Sequence, residues 1–179
     1  MRVDASLPPF HNRTSLFKRV YLSGGIEYSP DRGRGWRAEL APVLRELGHS
    51  IYDPAEDERK NLDDEEVRHF RAWKMSDLAR FQQTIRKIIH YDLDHIEQKT
   101  DYIVCYWDEA ATKGAGTHGE LTLAFRQKIP VYLVLGLPRD RVSGWILGCA
   151  TEVFEDFGGI KNFLRAKYAR QLTAQDSTR

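Results

Sequence analysis

The sequence predicts an α/β domain built around a central, mostly parallel sheet of about five strands. Short apolar runs typical of buried strands alternate along the chain with longer segments of helical periodicity. One run, residues 101–107, is apolar almost throughout, as expected for a central strand covered on both faces. The length of 179 residues is enough for one domain with a substantial core.

The predicted elements follow one another in a regular order. The strands are predicted over residues 19–23, 50–54, 101–107, 128–135 and 153–154. Helices are predicted over residues 36–47, about 65–99, 117–127 and 160–168. Pro42 lies inside the first helical pattern, so it predicts either a kink or a helix that begins near Ala41.

The chain is expected to divide into three segments. Residues 1–17 show little periodicity and are predicted to form a loose arm. Residues 18–172 form the predicted domain, and residues 173–179 form a polar tail that we expect to fray.

The acidic run over residues 55–66 is interpreted as a solvated loop and helix start, with a cation site as the alternative.

Composition argues against several classes of partner. The formal net charge is +1, so no global field attracts a nucleic-acid polymer or an anionic membrane. No segment approaches the roughly 20 apolar residues that span a bilayer, and the N-terminus lacks the apolar region of a signal peptide. We therefore expect a cytoplasmic protein. The histidines form no recognised metal motif, so neither a metal nor another cofactor is predicted.

Ligands of parallel sheets bind beyond the carboxyl ends of the strands. Gly24 and Gly25 directly follow the first predicted strand. Their backbone N–H groups could contact an anion, or the two residues could simply form a tight turn. Neither G-x-G-x-x-G nor G-x-x-x-x-G-K-[ST] is present, so a dinucleotide fingerprint or a P-loop is not supported.

Residues 113–120 (Lys-Gly-Ala-Gly-Thr-His-Gly-Glu) follow the central strand and end on a carboxylate, Glu120. Two interpretations are open. Glu120 is a catalytic group at a glycine-rich strand–helix junction, or Thr117 and Glu120 form a capping box at the start of the next helix.

Three further side chains are candidates for the same edge of the sheet. Asp108 ends the central strand, where it either caps the following turn or bonds a ligand hydroxyl. Tyr21 could stack on a planar ligand. Asp92 precedes the central strand and, taken alone, is a helix-surface aspartate. Carboxylates in a glycine-lined pocket suit glycosyl transfer, in which one carboxylate attacks the anomeric carbon.

In these residues the chain resembles the nucleoside 2-deoxyribosyltransferases and the related deoxynucleoside 5′-monophosphate N-glycosidases. The resemblance covers roughly residues 20–135. It is carried by Tyr-Leu-Ser-Gly-Gly at 21–25, Leu-Gly-His at 47–49 with Asp-Pro at 53–54, Asp92 with Ile96, and Gly-Thr-His-Gly-Glu at 116–120 before Ile-Pro-Val at 129–131.

The resemblance implies a flavodoxin-like three-layer fold and a homo-oligomer, a dimer or larger. Glu120 matches the family's nucleophile, which forms a covalent glycosyl-enzyme at C1′ with retention after two displacements. Asp92 matches an aspartate near the sugar that orients the nucleophile or transfers a proton. The residues expected to contact the substrate are Tyr21, Ser23, Gly24, Gly25, Asp108, Gly116 and Thr117.

The chain departs from the family pattern at Gly114 and Ala115, where the transferases typically place an aspartate that contacts the base. Asp108 or Glu109 could take its place. The expected partner is a small-molecule nucleoside or nucleotide. The two arginines within residues 31–36 either bind a 5′-phosphate, which would favour a nucleotide, or are solvated loop side chains. The alternative function is a non-catalytic nucleotide-binding or sensing module on the same fold.

Overall fold

The computed structural model of the chain describes residues 17–57 and 59–176. Its strands are β1 (Arg19–Gly24), β2 (Ser50–Tyr52), β3 (Tyr102–Trp107), β4 (Val131–Leu135) and β5 (Glu152–Phe154). Its α-helices are α1 (Arg34–Glu46), α2 (Asp64–Ser76), α3 (Leu78–Lys99), α4 (Glu109–Lys113), α5 (Ala115–Arg126), α6 (Gly144–Cys149) and α7 (Phe157–Asp176).

The five strands form one sheet in the order β2-β1-β3-β4-β5, and every neighbouring pair is parallel. This is the flavodoxin-like strand order, so the predicted fold class is confirmed. The strand order reverses between β1 and β3, which are adjacent in the sheet. A ligand site is therefore expected beyond the carboxyl ends of these two strands.

Helices cover both faces of the sheet. Ile96 of α3, Leu121 of α5 and Ile146 of α6 pack with Tyr21 and Ile103 in one core. The other core joins α1 and α7 to the opposite face, and it includes Leu22, Leu40, Leu44, Val104 and Leu164. Side chains alternate along each strand, which is why β1 and β3 contribute to both cores.

The helix predicted over residues 65–99 is wrong in one respect, because two helices occupy the region. Asp77 separates α2 from α3 with φ −151° and ψ 84°, and its side chain accepts a hydrogen bond from Arg80 N at 3.0 Å. A carboxylate that bonds the nearby backbone competes with helix continuation, and here it starts a new helix. This break lets α2 fold back against α3.

Other helix boundaries also differ from the predicted ones. The helix around Pro42 begins at Arg34 rather than near Ala41. Both Pro42 and Ala38, whose carbonyl Pro42 cannot bond, are exposed, so water can satisfy that carbonyl. Helix α7 extends to Asp176, into the predicted polar tail. The predicted arm lies outside the described residues except for Phe17. No helix in the described parts of the chain is long and apolar enough to cross a membrane.

Candidate active site

Glu120 is bound by two side chains of β1. Tyr21 donates its hydroxyl to Glu120 Oε1 at 2.8 Å, and Ser23 Oγ donates to Glu120 Oε2 at 2.5 Å. Residues two apart in a strand point to the same face, so Tyr21 and Ser23 both reach the carboxylate on α5. Burial and the negative charge of Glu120 raise the pKa of Tyr21, which keeps its hydroxyl protonated as a donor.

The capping-box alternative for Thr117 and Glu120 is wrong. Helix α5 begins at Ala115, with Gly114 as its N-cap and no side-chain cap. Glu120 therefore lies in the second turn, where its carboxylate is too far along the helix to cap the start. A capping box is instead formed by Asp63 and Glu66 at the start of α2.

Glu120 lines a cavity of about 350 Å³ beyond the carboxyl ends of the strands. Its volume lies within the range of small-molecule sites. The walls come from the end of β1, the segment after β2, the start of α5 and the α2–α3 pair. Among the residues predicted for the site, the lining includes Gly24, Gly25, Asp92, Gly116, Thr117 and Glu120. Tyr21 and Ser23, which were expected to contact the substrate, are not among these residues: both side chains are fully buried and bond Glu120, so Tyr21 is not placed to stack on a ligand.

Gly25 is required by close packing. A Cβ added at this position would lie 2.6 Å from the Cβ of Ala110 on α4. Close packing against α4 therefore accounts for a glycine at position 25, and both Gly24 and Gly25 line the cavity.

Asp92 is buried at the cavity and is paired with a lysine. Lys60 Nζ donates to both carboxylate oxygens of Asp92, at 2.8 and 2.7 Å. Burial raises the pKa of Asp92 to about 6, because the favourable charge of Lys60 only partly offsets desolvation and the repulsion from Glu120 and Asp57. The expectation of a helix-surface aspartate is therefore wrong: Asp92 lies on the inner face of α3.

Asp108 is not among the residues that line the cavity. Its carboxylate accepts a hydrogen bond from Ala111 N at 2.8 Å and caps α4. The structure thus shows the capping alternative, and nothing in its geometry supports the predicted substrate contact. Of the arginines near α1, Arg32 lines the cavity, whereas Arg34 pairs with the exposed Glu56 at 3.3 Å.

Sequence reasoning missed Arg37, which holds the end of β1 in place. Its Nε lies 3.0 Å from Asp53 Oδ1, an ion pair at the end of β2. Its terminal nitrogens donate to the carbonyls of Leu22, Gly24, Arg32 and Gly33. The helical spacing could have identified it, because Arg37 lies on the same buried face of α1 as Leu40 and Leu44.

Sequence reasoning also missed the apolar wall of the cavity. It consists of Val67 and Phe70 on α2 with Phe81, Ile85 and Ile88 on α3. The wall exists because α2 folds back at Asp77. A cavity lined by apolar side chains and a carboxylate suits a ligand that has one apolar end and one polar end.

The chain shares its fold with a 2-deoxyribosyltransferase from the psychrotolerant bacterium Bacillus psychrosaccharolyticus, described as a biocatalyst for the synthesis of antiviral and antitumoral nucleosides. The superposition has a TM-score of 0.56 and covers 84% of this chain and 95% of that enzyme. This chain has the 2-deoxyribosyltransferase fold. The resemblance read from the sequence is thereby confirmed in the fold, across a sequence identity of 17%.

No protein-family model and no curated protein matches the chain. Among the residues that the structure describes, no group of three or more His, Cys, Asp or Glu side chains is arranged to hold a metal ion.

Proposed function

We propose that this protein cleaves or transfers the N-glycosidic bond of a (deoxy)nucleoside or its 5′-monophosphate. The observation that carries the proposal is Glu120, which is held by Tyr21 and Ser23 at the wall of a small-molecule cavity. The shared 2-deoxyribosyltransferase fold supports the same reaction class.

In the proposed reaction a Glu120 oxygen attacks C1′ of the sugar. The C1′–N bond breaks, its electron pair stays on the base nitrogen, and a glycosyl ester forms on Glu120. Water or a second base then attacks C1′ from the opposite face and releases the carboxylate. Two displacements at one carbon give net retention.

Asp92 is proposed to serve the proton transfers that this reaction needs. The departing base takes up a proton, and the attacking water or second base loses one. A carboxyl group with a pKa of about 6 can donate and accept a proton close to neutral pH. Both Asp92 and Glu120 line the same cavity, so one bound sugar can contact both carboxyl groups.

The test is to incubate the protein with deoxynucleosides, ribonucleosides and their 5′-monophosphates, with and without an acceptor base, and to measure free or exchanged base. Glu120→Ala and Glu120→Gln should lose activity by about 10⁴-fold or more, because no other group replaces the nucleophile. Glu39→Ala, which removes an exposed glutamate of α1, is the matched control and should keep full activity.

An intact-mass measurement after acid quenching should detect a glycosyl adduct on the wild type and none on Glu120→Gln. An inert wild type over the whole panel, or full activity in Glu120→Ala, contradicts the proposal. Stabilisation by nucleotides without turnover would instead favour a binding or sensing module.

A further inference from the structure

Lys60 and Asp92 form a buried ion pair at the wall of the cavity. Their side chains are only 10% and 12% exposed. The lysine nitrogen lies at nearly equal distances from both carboxylate oxygens, 2.8 and 2.7 Å. A carboxylate bonded at both oxygens by one cation is fixed in orientation, and its charged form is favoured.

The backbone at Lys60 adopts an unfavourable left-handed conformation that contacts with neighbouring residues stabilise. Lys60 and Asn61 both have positive φ, at 36° and 66°. Left-handed conformations are unfavourable for residues with side chains, and for lysine more than for asparagine. The segment is held by hydrogen bonds from Lys60 N to Asp57 Oδ1 at 3.3 Å and from Leu62 N to Arg59 O. This turn directs the Lys60 side chain inward rather than toward solvent.

Several charged groups around Asp92 act on its pKa, and the positive charge of Lys60 opposes the effect of the carboxylates. Asp57 on the same segment and Glu120 on α5 both raise the pKa of Asp92 by repulsion, while Lys60 lowers it. The other titratable groups that interact with Asp92 from β1, β2 and α3 are the phenols of Tyr21, Tyr52 and Tyr91. Arg32, Arg71 and Lys74 also line the cavity, and Lys60 is the cation that bonds the Asp92 carboxylate.

We infer that Lys60 is a positioning residue of the active site, which orients Asp92 and sets the pH at which Asp92 exchanges its proton. Lys60 acts through Asp92 and takes no part in bond breaking. The inference rests on the proposed function for its catalytic consequence, while the effect of Lys60 on Asp92 is a property of the folded protein alone.

A double-mutant cycle tests this role. Lys60→Met should lower kcat/KM by about 10-fold or more in the wild-type background, and by less than about 2-fold in Asp92→Asn, because the lysine then has no carboxylate to position. The limb of the pH–kcat/KM profile that disappears in Asp92→Asn should move to higher pH in Lys60→Met. Lys60→Arg should restore part of the loss, since it keeps the positive charge.

Lys87→Met is the matched control. Lys87 also lies in an ion pair, with Glu66, but outside the cavity. This variant should leave the pH profile unchanged. Equal losses from Lys60→Met in both backgrounds, or an unmoved pH limb, would overturn the inference.

A second measurement separates this inference from the proposed function. The carboxyl carbon of Asp92 is titrated by NMR in wild type and in Lys60→Met, with no substrate present. A higher pKa in the variant supports the inference even if no nucleoside is turned over, and an unchanged pKa overturns it even if the enzyme is active. If Lys60→Met does not fold, Lys60→Gln is used in the same titration.

Discussion

At the scale of single residues, the candidate site is organised by hydrogen bonds to carboxylates. Tyr21 and Ser23 bind Glu120, and Lys60 binds Asp92. The donors are fixed within β1 or within a tight turn, so the carboxylates are oriented before any ligand enters. Preorganised groups of this kind lower the cost of orienting a nucleophile.

Removing the Tyr21 hydroxyl should impair catalysis while leaving the protein folded. Tyr21→Phe loses a hydrogen bond to a charged group, which is typically worth about 1.5–3 kcal/mol. We expect kcat/KM to fall by about 10- to 100-fold in a steady-state base-release assay. Tyr28→Phe, which alters an exposed tyrosine, should have no effect. Full activity in Tyr21→Phe would contradict the role of this hydroxyl.

Stability should depend on pH through Asp92. Burial raises the pKa of this group from an ordinary 3.8 to about 6, so the folded state binds the proton more tightly than the unfolded state. The resulting stabilisation, on the order of 3 kcal/mol, is present below about pH 4 and is lost as pH rises through about 6.

Asp92→Asn lacks this dependence. The free energy of unfolding of the variant minus that of the wild type should therefore increase between pH 4 and pH 7, by up to that same ~3 kcal/mol. Urea unfolding at the two pH values measures it. If the difference in free energy of unfolding stays constant or decreases, the pKa of Asp92 is not raised in the folded protein.

At the scale of elements, the end of β1 is joined to β2 and to the loop before α1 by one buried arginine. Arg37 contacts Asp53 at the end of β2 and four backbone carbonyls. These contacts hold Gly24 and the residues before α1 in the positions that form one side of the cavity.

Arg37→Met should be among the most destabilising substitutions in the chain. It leaves the half-buried Asp53 carboxylate without its cation and removes the donors to several carbonyls, at a cost of about 3–5 kcal/mol. Arg45→Met, at an exposed position of the same helix, should cost less than about 1 kcal/mol. Urea unfolding at pH 7 compares the two. Similar midpoints for both variants would contradict this account.

At the scale of the whole molecule, the α2–α3 pair presents large apolar side chains to solvent. Met75 and Leu78, on either side of Asp77, are 91% and 60% exposed. The predicted homo-oligomer offers one reason for such exposure, since large exposed apolar groups suit burial by another copy of the chain.

We expect the purified chain to be a dimer or a larger oligomer in light scattering coupled to size exclusion. Replacing both side chains, in Met75→Ser with Leu78→Ser, should shift the mass toward the monomer. Replacing the exposed Phe125 by serine on α5 serves as the control. A monomeric wild type would contradict the oligomer prediction, and an unshifted double variant would place the interface elsewhere.

Much of the fold could be predicted from local pattern. The apolar runs located all five strands, and the glycines and carboxylates that follow them pointed to one edge of the sheet. The helix break at Asp77 was missed because the helical periodicity continues across this aspartate. The length of α7 was missed because the periodicity does not show at which residue a helix ends.

The sequence by itself determined the alternation of strands and helices, and with it the sheet edge to which Glu120 belongs. Only the tertiary structure decided which side chains meet there. Glu120 is 99 residues from Tyr21, and Asp92 is 32 residues from Lys60. Such pairs depend on strand order and on how α3 and the segment after β2 come together, and local periodicity specifies neither.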